Sequence, residues 1–477
     1  MTPSSRRDFM KGALGLASAA AFGSGATRTL GSPPTRRAVD SGSARVALSR
    51  AVAPLPDPAT SGIEHVVVVM MENRSFDHFL GWMPNSNGRQ AGLAFEDPKH
   101  VVHPTWHAKQ LNGCGYTDPD HSYDGGRQQY DKGKMDGFLL DTSNDIYAVS
   151  YYTAKDRPFM SQLALNYTTC DNYFCSILGP TYPNRFFQHA AATDRLDNTM
   201  TISSLPTIWD RLNHAGGPTG RYYFSDVPFL ALWGQKYLSI SASYGEFLAD
   251  AAAGELPNVS YIDPRFEDEG DGTSCDDHPL ADLRAGDSFL SEIFHALASG
   301  PGWDKTVLVI NYDEWGGFFD HVAPSRVTPG VPVGKPPSTD IDTDQVGGKV
   351  LLGFRVPCIV ASPFTKGDAS DPTVAHGLYD HTSVLKLIEW RWGLAPLTQR
   401  DASTASSDPG NLAHTLDLAR TSSSVPDTIP ALLPFVPAAC STGLPAVGGG
   451  PAPATANGGD SDTWSELRAS SLMKGWK

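Results

Sequence analysis

Two pairs of oxygen-bearing side chains, Glu72-Asn73 and Asp313-Glu314, each follow closely on a run of aliphatic residues. The first run is His65-Val66-Val67-Val68-Val69-Met70-Met71 and the second is Thr306-Val307-Leu308-Val309-Ile310-Asn311. Runs of this kind read as strands buried on both faces of a parallel sheet. In an open parallel sheet, ligands gather beyond the carboxyl ends of the strands. Carboxylates placed there face a desolvation cost, which coordination to a divalent cation offsets. Asp and Asn are also good N-caps, so either pair alone is read equally well as capping a following helix. Two pairs at two strand ends predict one shared metal site, and oxygen ligands suit calcium, magnesium or manganese.

A third segment is Cys175-Ser176-Ile177-Leu178-Gly179-Pro180-Thr181-Tyr182-Pro183-Asn184-Arg185. Gly179-Pro180 makes a turn that presents Thr181 at a helix start, where free backbone N–H groups and the helix dipole stabilise a phosphoryl oxyanion. A hydroxyl is too weakly acidic to attack unaided, and metal coordination makes it alkoxide-like. Taken alone, a Thr before Tyr-Pro reads as a turn or cap. His121, His278 and His321 lie in stretches too polar for a core. Histidine can donate to phosphate oxygens or protonate a leaving alkoxide near neutral pH, although a lone loop histidine is more often simply solvated. Phe79, Trp82 and Trp315 flank these motifs and read either as an apolar entrance or as core. Gly286-Asp287-Ser288 is similar to the nucleophile block of certain lipases, but it sits at a predicted helix start where Asp and Ser are common caps. No Cys-x-Pro-x-Arg block of the sulfatase kind is present.

The elements that must position these groups alternate between strand and helix. A third apolar run, Val356-Pro357-Cys358-Ile359-Val360-Ala361, follows the two above, and helices are predicted over 283–298 and 382–392. The alternation predicts right-handed crossovers and an α/β, doubly wound, mostly parallel sheet sandwiched between helices. Residues 62–436 are read as one catalytic domain. Within it, 85–156 is rich in Gly, Asp, Tyr and His and reads as an excursion that covers the active face. Residues 31–61 form a Pro, Ser and Ala-rich linker, and 437–477 read as a low-complexity, mobile tail.

The N-terminal segment Ser5-Arg6-Arg7-Asp8-Phe9-Met10-Lys11, followed by small apolar residues through Phe22, reads as a twin-arginine export signal over 1–30. It implies the twin-arginine machinery as a partner and a secreted, periplasmic or envelope-associated protein. Lys and Arg total 37 against 52 Asp and Glu, a formal charge of −15. The first 50 residues hold eight of those basic residues and two of the acidic ones, so the remainder carries −21. Such a surplus excludes nucleic acid as an expected partner and argues against simple docking on anionic lipid. It does not exclude phosphate substrates, because a held cation reverses the local field. Six cysteines occur without a C-x-x-C pair, and a disulfide or two after export is weighed equally against buried free thiols. Cys170 and Cys175 are the nearest pair in sequence.

Together these segments resemble the bacterial phosphoesterase family that contains phosphatidylcholine-type phospholipases C and acid phosphatases, a branch of the alkaline phosphatase superfamily. The resemblance runs from about Glu64 to Trp392. It is carried by Glu72-Asn73-Arg74-Ser75-Phe76-Asp77-His78, by Gly179-Pro180-Thr181-Tyr182-Pro183-Asn184-Arg185, and by Tyr312-Asp313-Glu314 with Gly316-Gly317 and Asp320-His321. Asp118-Pro119-Asp120-His121 and Gly133-Lys134-Met135-Asp136-Gly137-Phe138 add to it. It implies that Glu72, Asn73, Thr181, Asp313 and Glu314 surround a divalent metal, with zinc added to the ions above. It also implies Thr181 as nucleophile, and His121, His278 and His321 on the phosphate and leaving group. The expected substrate is a phospholipid, cleaved to diacylglycerol and phosphocholine during peripheral membrane contact. A broad acid phosphatase acting on small phosphate esters is the alternative, and a non-catalytic phosphate-ester-binding protein the third reading. Larger haemolytic members carry further C-terminal domains where this chain has its low-complexity segment.

Overall fold

The structure is a computed structural model that describes residues 52–141, 143–402, 407–419, 421–440 and 463–476. The twin-arginine segment and most of the linker lie outside the described residues. Eight strands form the central sheet. They are β1 (His65–Met71), β2 (Thr168–Cys170), β3 (Gly220–Phe224), β4 (Ser241–Ser243), β5 (Val259–Asp263), β6 (Thr306–Tyr312), β7 (Cys358–Ala361) and β8 (Val374–Ala375). Their order across the sheet is β8-β2-β7-β6-β1-β5-β3-β4. Strand β1 pairs in parallel with β6, from His65 opposite Thr306 to Met71 opposite Tyr312, and in parallel with β5 on its other side. Side chains alternate between faces along a strand, and nearly every position of β1 and β6 is buried, so both faces of the sheet are covered.

The helices are α1 (Phe76–Leu80), α2 (Tyr123–Tyr130), α3 (Pro158–Asn166), α4 (Thr181–Ala190), α5 (Tyr244–Ala253), α6 (Leu283–Ser299), α7 (His381–Trp392) and α8 (Thr463–Ala469). Helix α6 packs against α3 and α5, and α4 packs against α7. Helix α6 buries Phe289, Leu290, Ile293, Phe294 and Leu297, the spacing of one helical face, and Asp282 caps its start. The two helices predicted from sequence are α6 and α7. Among the described residues, no helix is long and apolar enough to cross a membrane.

Two expectations, on the third apolar run and on the mobile tail, are corrected, and the open question of the cysteines is decided. The third apolar run begins as a strand only at Cys358, and β7 runs antiparallel to both β6 and β2. The chain leaves β6 at its carboxyl end and makes a long excursion that carries a small three-stranded sheet but no α-helix. It then re-enters beside β6, and only an antiparallel neighbour avoids a crossover. The disulfide joins Cys114 to Cys440, while Cys170, Cys175, Cys275 and Cys358 are free thiols. The segment read as a mobile tail includes α8, whose Trp464 and Leu467 are buried, and Trp476 is buried beyond it. Three large apolar side chains within 14 residues supply the buried area that the Gly and Pro-rich stretch before them lacks.

Candidate active site

Strand β1 ends by delivering Glu72 and Asn73 to the carboxyl edge of the sheet, and its parallel neighbour β6 delivers Asp313 and Glu314 to the same edge. Asn73 takes up a left-handed backbone (φ 62°), and its N–H donates to Asp313 Oδ1 at 3.0 Å. Asn is among the residues that tolerate this conformation. The following loop passes against it through Gly316, where a Cβ would stand 1.9 Å from the Asn73 carbonyl oxygen. Gly317 similarly lies against Pro119 and Asp120. Both glycines have positive φ, so the Gly316-Gly317 pair is what lets three chain segments meet here.

Helix α4 begins at Thr181, as its turn predicted. Asn184 fastens that turn: its Oδ1 accepts from the Ile177 N–H at 3.0 Å and its Nδ2 donates to the Gly179 carbonyl at 2.7 Å. Thr181 is buried, and its hydroxyl donates to Asn73 Oδ1 at 3.5 Å. The Asn73 amide also lies 3.4 Å from His121 Nε2, which is 4.0 Å from Glu314 Oε1. His121 Nδ1 lies 2.7 Å from the Pro119 carbonyl, a pure acceptor, so Nδ1 carries the proton and Nε2 faces the site.

Arg185, one turn after Thr181 on the same face of α4, ties the carboxylates together. It donates to Glu72 Oε1 at 3.0 Å and Asp263 Oδ1 at 3.1 Å, and lies 3.5 Å from Asp313 Oδ2. Burial still dominates: Asp313 is pushed up to about 6 despite Arg185. Glu72 is held well above the usual carboxylate range by burial and by Asp313. Asp276 is likewise pushed up to about 6, and Glu269 is raised by burial and by Glu72. Asp313 Oδ2 is buried and accepts no hydrogen bond among the described residues. Oxygen atoms crowded beyond what one arginine neutralises fit a divalent cation. Three groups among the described residues bring ligand atoms within 4.8 Å of one another: Glu72 with Glu269 and Asp276, Asp118 with His121 and His278, and Asp77 with Asp320 and His321.

Arg74 positions the His278 loop, donating to the carbonyls of Asp277 at 2.7 Å and His278 at 3.1 Å. The His278 ring is fully buried and makes no hydrogen bond, with Nε2 3.7 Å from Asp118 Oδ2 and 3.9 Å from Glu269 Oε2. Burial, then His121 and Arg74, hold it well below its ordinary value. Burial therefore favours its neutral form.

His321 belongs to another cluster. Its Nδ1 lies 2.5 Å from Asp77 Oδ2 and its Nε2 3.4 Å from Asn87 Oδ1, and Arg355 joins Asp77 to Asp320. None of these contacts reaches Thr181. Phe79 and Trp315 are core rather than entrance, and Trp82 is half-buried. Asp287 accepts the Phe159 and Met160 N–H groups at the start of α3, and Ser288 bonds the Ala285 carbonyl, so the lipase-like block is structural. Sequence reasoning missed Arg185, whose i, i+4 spacing from Thr181 was legible, and Glu269, which no local pattern marks.

The α/β sheet and this constellation are those of a hydrolase acting on phosphoester bonds. The chain belongs to the Phosphoesterase family, whose model matches residues 63–395. Phospholipase C B of Mycobacterium tuberculosis is 32% identical over 439 residues, covering 79% of this chain and 80% of that protein. Non-specific phospholipase C6 of Arabidopsis thaliana is 32% identical over 409 residues, covering 79% and 76%. Among solved structures, a phosphonate monoester hydrolase of Agrobacterium radiobacter matches 74% of this chain and 77% of its own at 9% identity, with a TM-score of 0.36.

Proposed function

We propose that this protein is an exported phospholipase C that cleaves phosphatidylcholine to diacylglycerol and phosphocholine through a phosphothreonine on Thr181. One observation carries the reading: the Thr181 hydroxyl, at the start of α4, donates to Asn73, whose N–H donates to Asp313, and all of these residues and Glu314 are buried. A divalent cation held by Glu72, Asn73, Thr181, Asp313 and Glu314 would lower the pKa of the hydroxyl and offset charge on the non-bridging oxygens. Thr181 Oγ attacks phosphorus in line, and the bond from phosphorus to the glycerol oxygen breaks. His121 takes up the Thr181 hydroxyl proton on its unprotonated Nε2 and gives it to that departing oxygen. Water then cleaves the bond to Thr181, releasing phosphocholine. Neutral His278 and the backbone N–H groups of the first turn of α4 orient the phosphate oxygens. His321, with Asp77, acts at most by positioning the neighbouring loop.

The relatives named phospholipase C support the lipid substrate. The Cys114–Cys440 disulfide and the two N-terminal arginines support export, since disulfides persist in oxidising compartments. The test compares p-nitrophenyl phosphorylcholine with p-nitrophenyl phosphate on purified protein, before and after chelation and re-addition of Ca²⁺, Mg²⁺, Mn²⁺ or Zn²⁺. Diester cleavage that is lost with the metal is the expected result. Preferential monoester cleavage makes the protein an acid phosphatase, and metal binding without hydrolysis makes it a binding protein.

A further inference from the structure

Helix α8 reaches the acidic edge of the sheet from far along the chain. The Trp464 indole N–H donates to Glu72 Oε2 at 3.4 Å, while Arg185 holds Oε1 of the same carboxylate. The indole lies flat on Phe266, with ring centroids 3.8 Å apart and planes 3° apart. Its edge meets Tyr182, the residue after Thr181, at 5.5 Å, and the Arg185 guanidinium carbon lies 5.5 Å from its centroid. Trp464 thus touches the side chain after the proposed nucleophile, the arginine one turn later and a proposed metal ligand.

The segment is fixed on both sides of this contact. Leu467 is fully buried, Arg468 pairs with Glu267, the Trp476 indole donates to the Gly234 carbonyl at 3.0 Å, and Gln235 donates to the Lys474 carbonyl at 2.9 Å. Before α8, Cys440 is bonded to Cys114, and its N–H donates to the Asp271 carbonyl at 2.7 Å, on the loop that carries Glu269.

We infer that Trp464 is a positioning residue for the reaction: its N–H and Arg185 together fix the plane of the Glu72 carboxylate, so the C-terminal helix completes the catalytic pocket. The inference rests on the reading of Glu72 as a metal ligand. A carboxylate free to rotate about its last torsion has to be ordered when it binds a cation, whereas one gripped at both oxygens is already ordered and keeps a lone pair on each for the metal. Stacking on Phe266 sets the indole plane, so the N–H is aimed without a flexible linker. Phenylalanine can preserve the stack but has no donor, which separates packing from positioning.

The experiment uses the full chain with Trp464→Phe, Glu72→Gln and the double variant. Calorimetric titration of the metal-free proteins with Mn²⁺ is read beside kcat and KM on p-nitrophenyl phosphorylcholine, with Tm as the control for folding. Trp464→Phe is expected to weaken Mn²⁺ about 10-fold and to lower kcat by a similar factor, as losses of ligand-orienting partners do, with KM within about 2-fold. In the double variant, the Trp464→Phe effect on affinity is expected to vanish, because the group it orients is gone. Mn²⁺ affinity and kcat of Trp464→Phe equal to the parent's, with Glu72→Gln impaired, overturn the inference and leave the function standing. If Glu72→Gln also binds Mn²⁺ like the parent, the reading of Glu72 as a ligand falls and takes the inference with it.

Discussion

Arg185 stands one helical turn behind Thr181, and its guanidinium lies 2.9 Å from Glu72 Oε1 and 3.5 Å from Asp313 Oδ2. The residue that would attack and the residue that keeps the carboxylates together therefore share one helix face, and any shift of α4 moves both. Arg185 is fully buried, with Asp263 as a third acidic partner.

Removing that cation leaves buried carboxylates uncompensated, which costs about 3–5 kcal/mol when one partner of a buried pair is lost. Arg185→Met is expected to lower unfolding free energy by this amount in urea. Arg185→Lys keeps the charge but loses the planar fork that reaches several oxygens at once. It is expected to fold with a smaller loss and to lower kcat more than it raises KM. Equal stability of the methionine variant and the parent would remove the network from any account of the site.

Thr181→Ala deletes the hydroxyl that donates to Asn73 Oδ1 at the start of α4. Turnover is expected to fall by ~10³-fold or more, as for other removed nucleophiles, with Tm within a few degrees, since the hydroxyl makes a single long hydrogen bond. Thr181→Ser keeps the oxygen and should retain activity. Acid quench during turnover should leave phosphate on the peptide containing residue 181 in the parent, and none in the alanine variant. Phosphate on a different residue would relocate the nucleophile.

Gly316→Ala tests the geometry rather than the chemistry. The added methyl would stand 1.9 Å from the Asn73 carbonyl oxygen at a position with φ 65°, so the loop behind Asp313 and Glu314 has to move. Overpacking and left-handed strain of this kind cost about 1–3 kcal/mol each. Loss of Mn²⁺ binding together with a lowered Tm is expected. Gly92→Ala is the comparison: it shares positive φ but has open space around it, so its loss is confined to stability.

These outcomes depend on parts of the molecule that were unequally visible in the sequence. The valine run of β1 was plain because burial on both faces leaves no polar alternation to misread. Thr181 was legible because Gly179-Pro180 permits little but a turn before a helix. The direction of β7 was not, since an apolar run carries no information about which end of the sheet the chain re-enters from. His321 was grouped with the other histidines because each lies in a polar stretch, yet Asp77 and Arg355 draw its ring to another cluster. Trp464 was hidden behind a Gly and Pro-rich stretch, and its contact with Glu72 spans 392 positions of chain, a distance over which no local pattern operates.

The pH dependence of cation binding follows from the crowding of Glu72 and Asp313. A carboxyl must be deprotonated to serve as a ligand, and Asp313 is pushed up to about 6 by burial, while Glu72 is held well above its ordinary range by burial and then by Asp313. Below about pH 6 the metal-free site holds protons that a cation must displace, so affinity falls by about tenfold per pH unit for each proton released. Above that pH the Asp313 share of the dependence disappears. Affinity for Mn²⁺ is therefore expected to rise with pH, most steeply on the acid side. The rise in Tm on adding Mn²⁺ should likewise be larger near about pH 7.5 than near about pH 5, because a ligand stabilises only in proportion to its binding. Asp313→Asn cannot release a proton and should show a shallower slope between those values. An affinity independent of pH across that range, or a slope unchanged in Asp313→Asn, would mean that the cation does not bind at this carboxylate.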